Sequence, residues 1–162
     1  MSKNHFLKKH FDEVFKNQEK GHSIKNIEKK VTGIKDKRII QILKNFNINN
    51  KVCLDIGPGS GRWLNFMKNK NAKKLFAVDI SPKVIDLNKT FCNKIFQLDI
   101  ESKKLPLKDN STDLILCLEV LEHIRDPNNL INELFRIMKS NSIAIFTIPN
   151  ILSFASRVRV LV

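Results

Sequence analysis

Between positions 52 and 63 the chain reads Val-Cys-Leu-Asp-Ile-Gly-Pro-Gly-Ser-Gly-Arg-Trp, and this stretch is the one best suited to hold a ligand. Gly57, Gly59 and Gly61 stand at alternate positions, where a backbone free of Cβ atoms can turn sharply and approach a bound molecule. Two more aspartates, Asp79 and Asp99, each close a short apolar run downstream. Asp79 lies 22 positions after Gly57, and a carboxylate at about that spacing can accept both hydroxyl hydrogens of a ribose. A further constellation, Glu119-Val120-Leu121-Glu122-His123, joins two carboxylates to an imidazole. Such groups move protons or hold divalent cations. On a helical turn, positions i, i+3 and i+4 share a face, so Glu119, Glu122 and His123 are expected to converge.

Those residues need strands and helices to aim them. Val52, Cys53, Leu54 and Ile56 predict a strand, and residues 62–70 a helix behind the glycines. That order is the strand–turn–helix of a nucleotide-binding crevice, with free N–H groups and a positive dipole end at the helix start. Further strands are expected over 74–80, 94–98, 113–118 and 142–148. Helices are expected over 82–89, capped by Ser81 with Pro82 first, and over 128–139 behind Asp126-Pro127. Upstream, Phe6, Leu7, His10, Phe11, Val14 and Phe15 share a helical face within residues 1–20. A second helix turns Ile34, Ile39, Ile40, Leu43 and Phe46 inward, and residues 47–50 make a turn. Strands alternating with helices predict an α/β domain built on a parallel sheet, with helices on both faces.

The dinucleotide fingerprint G-x-G-x-x-G would need glycine at position 62, where Arg62 stands. What is present, Asp55 to Gly61, is D-x-G-x-G-x-G. It resembles motif I of the class I S-adenosylmethionine-dependent methyltransferases, which carry an acidic residue two positions before the first glycine. Leu105-Pro106-Leu107 and Asp113-Leu114-Ile115 resemble the family's L-P-F…F-D-L-V segment, with Thr112 where an aromatic is usual. Lys139-Ser140-Asn141-Ser142 stands in for the usual Lys-Pro-Gly-Gly turn, where Asn141 can supply a positive φ. The likeness runs in order from about Lys51 to Asn150. It implies a Rossmann-like sheet and a methyl donor, S-adenosylmethionine, held by Asp55, Gly57, Pro58, Gly59, Gly61, Asp79, Ile80, Asp99, Ile100 and Glu119. In such enzymes the acid at the end of strand two holds the ribose. The acid after strand three accepts from the adenine amine, and its neighbour's N–H meets the ring.

Three readings of Glu119–His123 stand open. The stretch can be a structural feature of small-molecule methyltransferases, with Glu119 near the donor. His123 can be a general base that takes the proton of an acceptor hydroxyl. Or Glu119, Glu122 and His123 can bind a metal, as the same E-x-x-E-H pattern does in ubiquinone-pathway O-methyltransferases and small-RNA 2′-O-methyltransferases. The RNA enzymes use a further downstream histidine, whereas this chain has only His5, His10, His22 and His123. The reading adopted takes no metal.

The 162 residues carry a formal charge of +13, mostly as lysines scattered among asparagines and isoleucines. That mix reads as compositional bias rather than a sculpted nucleic-acid patch, so RNA stands as the lesser partner beside a small-molecule acceptor. Cys53, Cys92 and Cys117 have no C-x-x-C spacing and read as core residues in a reducing compartment. No apolar run reaches 18 residues and no secretory leader is visible, which predicts a cytoplasmic protein without a membrane span. Residues 1–50 are expected to form a helical cap and 51–162 the donor-binding domain. The family's C-terminal antiparallel strand pair is not expected within these 162 residues. A fragment, or a strand-five edge covered by a second copy or another chain, is therefore expected. The function expected is methyl transfer to a small molecule at oxygen, with a non-catalytic domain of the same fold as the alternative.

Overall fold

The computed structural model describes residues 33–101 and 103–150. The helical face expected over residues 1–20, and the helix expected over 151–162, lie outside them. The described elements run α1 (Ile34–Phe46), β1 (Val52–Ile56), α2 (Arg62–Asn69), β2 (Lys74–Asp79), α3 (Pro82–Asn88), β3 (Lys94–Gln97), β4 (Thr112–Leu118), a 3-10 turn (Leu121–His123), α4 (Pro127–Ile137) and β5 (Met138–Thr147).

The central apolar runs form strands because a sheet covered on both sides asks for unbroken aliphatic sequence. Their side chains then divide by the two-residue period of a strand. Cys53, Leu75, Ala77, Leu114 and Leu116 pack with Leu43 of α1 and with Leu64 and Met67 of α2. Leu54, Ile56, Val78, Ile115 and Cys117 pack on the other side with Leu130, Leu134 and Ile137 of α4. Burial pushes the Cys53 and Cys117 thiols up to about 12, as befits core residues.

The sheet order is β3-β2-β1-β4-β5, and every pairing is parallel. Among the described residues β5 has one strand neighbour, β4, and lies at the sheet edge. Strand order reverses between β1 and β4, so the crevice opens at the carboxyl ends of those strands. Ile56 pairs with both Val78 and Cys117, and Asp79 with Gln97, which brings the ends of β1, β2, β3 and β4 level. Both expected N-caps are formed: Ser81 Oγ accepts from the Val84 N–H at 3.4 Å, and Asp126 Oδ1 from the Asn128 N–H at 3.1 Å. Asn47, Asn50, Asn71 and Asn110 take positive φ and carry tight turns between elements.

Two local expectations are corrected. Ile34 is 73% exposed rather than inward, because nine residues at about 100° each set it opposite buried Leu43. β5 begins at Met138, not at 142: Thr112 pairs with Met138 and Leu114 with Ile143. The expected turn over 139–142 survives as a bulge inside the strand, with Asn141 at φ 62° and Ser142 Oγ donating to the Lys139 carbonyl at 2.6 Å.

Candidate functional site

β1 delivers Asp55 and Ile56 to the sheet's carboxyl edge, and the glycine turn follows. Gly57, Gly59 and Gly61 have φ of 67°, 53° and 75°, a region that a side chain disfavours. The Gly57 N–H donates to the Val78 carbonyl and the Gly61 N–H to the Pro58 carbonyl, both at 2.9 Å. A Cβ on Gly57 would lie 2.8 Å from Val120 Cγ2, so this position closes on the loop after β4. α2 begins directly behind Gly61 with no side-chain cap, leaving its first N–H groups for water or an anionic ligand.

Asp79 is the last residue of β2, Asp55 the next to last of β1, and Asp99 lies two residues past β3. Asp79 Oδ1 accepts from the Ser81 N–H at 2.8 Å, which folds the chain into α3. Asp99 Oδ1 accepts from the Glu101 N–H at 3.0 Å. Both carboxylates are half-buried, as are Ile80 and Ile100 beside them. Asp55 is 2% exposed, and its Oδ2 has no hydrogen-bond partner among the described residues. Burial first, then the nearby Asp79 carboxylate, pushes Asp55 up to about 8, against the pull of Arg62. Acceptors at the ends of β2 and β3, an unsatisfied acid at β1 and an uncapped helix start fit the hydroxyls, amines and carboxylate of S-adenosylmethionine.

Residues 54–146 match the family model described as a methyltransferase domain. The chain belongs to the methyltransferase-domain family. Its sequence is 35% identical over 98 residues to a tRNA U34 carboxymethyltransferase of Nautilia profundicola, covering 57% of this chain and 32% of the relative. It is 26% identical over 122 residues to a ubiquinone biosynthesis O-methyltransferase of Hydrogenovibrio crunogenus, covering 68% and 48%. The fold is similar to a crystal structure of a SAM-dependent methyltransferase from Archaeoglobus fulgidus, with a TM-score of 0.63 and 23% identity, over 76% of this chain and 56% of that one. The chain spans less than half the length of these curated relatives.

In this methyltransferase domain the Glu119–His123 stretch departs from expectation. Glu119 sits at φ 57°, outside any right-handed helix, and the 3-10 turn starts only at Leu121. The three side chains therefore do not share one helical face. Glu119 is half-buried and its N–H bonds the Thr147 carbonyl at 2.9 Å, whereas Glu122 and His123 are exposed. Among the described residues no group of three His, Cys, Asp or Glu side chains is placed to hold a metal ion, Glu119, Glu122 and His123 included.

Sequence reasoning missed the side chains that bind the site's parts together. Arg62 meets Asp36 through two hydrogen bonds, at 2.7 and 2.8 Å, and Lys35 Nζ lies 3.1 Å from Glu119 Oε1. The first turn of α1 is thus tied to the start of α2 and to the end of β4. Asn88, fully buried at the end of α3, donates from Nδ2 to the Gly59 carbonyl at 2.8 Å. Its one sequence signal was a polar residue in the last turn of a helix that packs on the sheet. Partners 26 and 29 positions apart left no local trace.

Proposed function

We propose that this chain is the donor-binding part of an S-adenosylmethionine-dependent methyltransferase that delivers a methyl group to oxygen on a small-molecule acceptor. The observation that carries the reading is the placing of Asp55 next to last in β1, Asp79 last in β2 and Asp99 two residues past β3, all toward the carboxyl edge of the sheet beside three left-handed glycines. Asp79, with Ile80 alongside, holds the ribose hydroxyls. Asp99 accepts from the adenine amine and the Ile100 N–H meets the ring. Gly57, Pro58, Gly59 and Gly61 let the backbone close on the methionine portion, near Asp55 and Glu119.

The bound donor supplies an electrophilic methyl on sulfur. The chain's part is to hold acceptor and donor in line, worth up to roughly 7–11 kcal/mol in favourable cases. His123, exposed on the turn after β4, takes the acceptor's proton as general base. Residues 1–50 act as a helical cap over the donor-binding domain of 51–162, and the domain works in the cytoplasm without a metal. Supporting the oxygen acceptor is the E-x-x-E-H likeness to ubiquinone-pathway enzymes, together with the O-methyltransferase relative. A second reading, an RNA acceptor, is favoured by the +13 charge and the tRNA-modifying relative.

Calorimetric titration with S-adenosylhomocysteine, NAD and ATP side by side tests the donor site. Binding of S-adenosylhomocysteine alone is expected; preference for NAD or ATP overturns the reading. Methyl transfer to small hydroxylated acceptors against bulk tRNA then separates the two acceptor classes. Donor binding without turnover on either would make this a non-catalytic domain of the same fold.

A further inference from the structure

Asn88 is 0% exposed, and both hydrogens of its amide are in use. Nδ2 donates at 2.9 Å to the Val84 carbonyl of its own helix and at 2.8 Å to the Gly59 carbonyl across the gap to the glycine turn. Two carbonyl oxygens on one side fix the amide's orientation, since a flipped amide would set oxygen against oxygen. Oδ1 then faces Gly61 with no hydrogen-bond partner, and a Cβ at Gly61 would overlap it. A buried amide with an orphaned acceptor is a poor way to fill a core, because an aliphatic side chain would fill the same space with no unmet group.

What the amide does instead is join two halves of one cradle. α3 starts at Pro82, directly after the turn in which Asp79 Oδ1 holds the Ser81 N–H at 2.8 Å. Its other end carries Asn88. Other bonds of the glycine turn run from the Gly61 N–H to Pro58 within it, from the Asn65 N–H of α2 to the Gly61 carbonyl, and from the Gly57 N–H to Val78 of β2; none of these reaches α3. We propose that Asn88 is a positioning residue for the donor site: through α3 it sets the separation between the glycine turn and the Asp79 carboxylate. The inference rests on the donor reading above for its consequence in binding, while the lock itself is a property of the ligand-free chain.

Hydrogen exchange and calorimetry on the 162-residue chain and Asn88→Leu test it. Losing a buried hydrogen bond that preorganises a site is expected to weaken S-adenosylhomocysteine binding about tenfold. Amides of residues 59–62 should exchange faster, while the melting temperature stays within a few degrees. Wild-type affinity with unchanged exchange in that segment overturns the proposal, as does a weakened affinity that simply tracks a lowered melting temperature. Should Asn88→Leu fail to fold, Asn88→Ala is judged by the same readouts. If the wild-type chain binds no S-adenosylhomocysteine, the donor reading fails, and exchange over residues 59–62 alone decides the lock.

Discussion

Replacing Asp55 by asparagine should stabilise the ligand-free chain, and more so as the pH rises. The carboxyl is 2% exposed, its Oδ2 has no partner, and burial with Asp79 nearby pushes it up to about 8 from an ordinary 3.8. A group whose folded pKa exceeds its unfolded one contributes stability that is complete below the unfolded value and is lost as pH rises through the folded one. Near pH 4 the two proteins should therefore differ by less than about 1 kcal/mol. By pH 8 the burden of ionising Asp55 in place amounts to at most about 5 kcal/mol, at 1.36 kcal/mol per pH unit, and water entering the crevice will reduce it. Asparagine keeps the shape and stays neutral at every pH. Urea unfolding at pH 4, 6 and 8, followed by the fluorescence of the single, buried Trp63, measures the difference directly. A gain that is flat with pH, or one that shrinks toward pH 8, would refute the electrostatic argument. The same variant should bind S-adenosylhomocysteine less tightly, the opposite sign from its effect on folding.

Asp79→Ala should weaken S-adenosylhomocysteine binding by about 10- to 100-fold through loss of a charged acceptor, and unchanged affinity by calorimetry would remove Asp79 from the site. Gly57→Ala places a Cβ 2.8 Å from Val120 Cγ2 at a φ of 67°, so binding should fall more than about tenfold with a modest loss in melting temperature. Arg136→Ala removes bonds to the Leu105 and Leu107 carbonyls at 3.0 and 2.9 Å and to Glu133, and should lower stability by about 2–3 kcal/mol in chemical denaturation at pH 7. Because Arg136 holds the Glu133 carboxyl below its ordinary value, that deficit should persist above pH 5 and shrink as the pH falls below 4.5.

Apolar runs, caps and turn residues carried most of the architecture. β1, β2 and β4 were legible because each is a run of aliphatic residues ending in an acid or glycine, and Ser81-Pro82 and Asp126-Pro127 announced α3 and α4 by local hydrogen bonding alone. Ile34 misled because an apolar residue at a helix start need not lie on its buried stripe. Glu119 misled because spacing implies a shared face only where the backbone is helical, and nothing local foretold its positive φ. The place of Asp79 at the end of β2 followed from the apolar run before it, whereas β3 stops at Gln97, two residues short of Asp99. The Asp36–Arg62 pair, the Asn88 amide and the Arg136 strut join elements distant in sequence, and only the packed sheet brings them together.

The asparagines at positive φ bear on how the chain distributes its freedom. Among the described residues the glycines at positive φ are the three of the glycine turn, whereas Asn47, Asn50, Asn71 and Asn110 serve left-handed corners elsewhere and Asn141 the bulge in β5. An asparagine samples fewer unfolded conformations than a glycine, so each such corner gives up less entropy on ordering. The scaffold is correspondingly stiff at its bends, and the most pliable backbone of the described fold is kept where a small molecule would be gripped and let go.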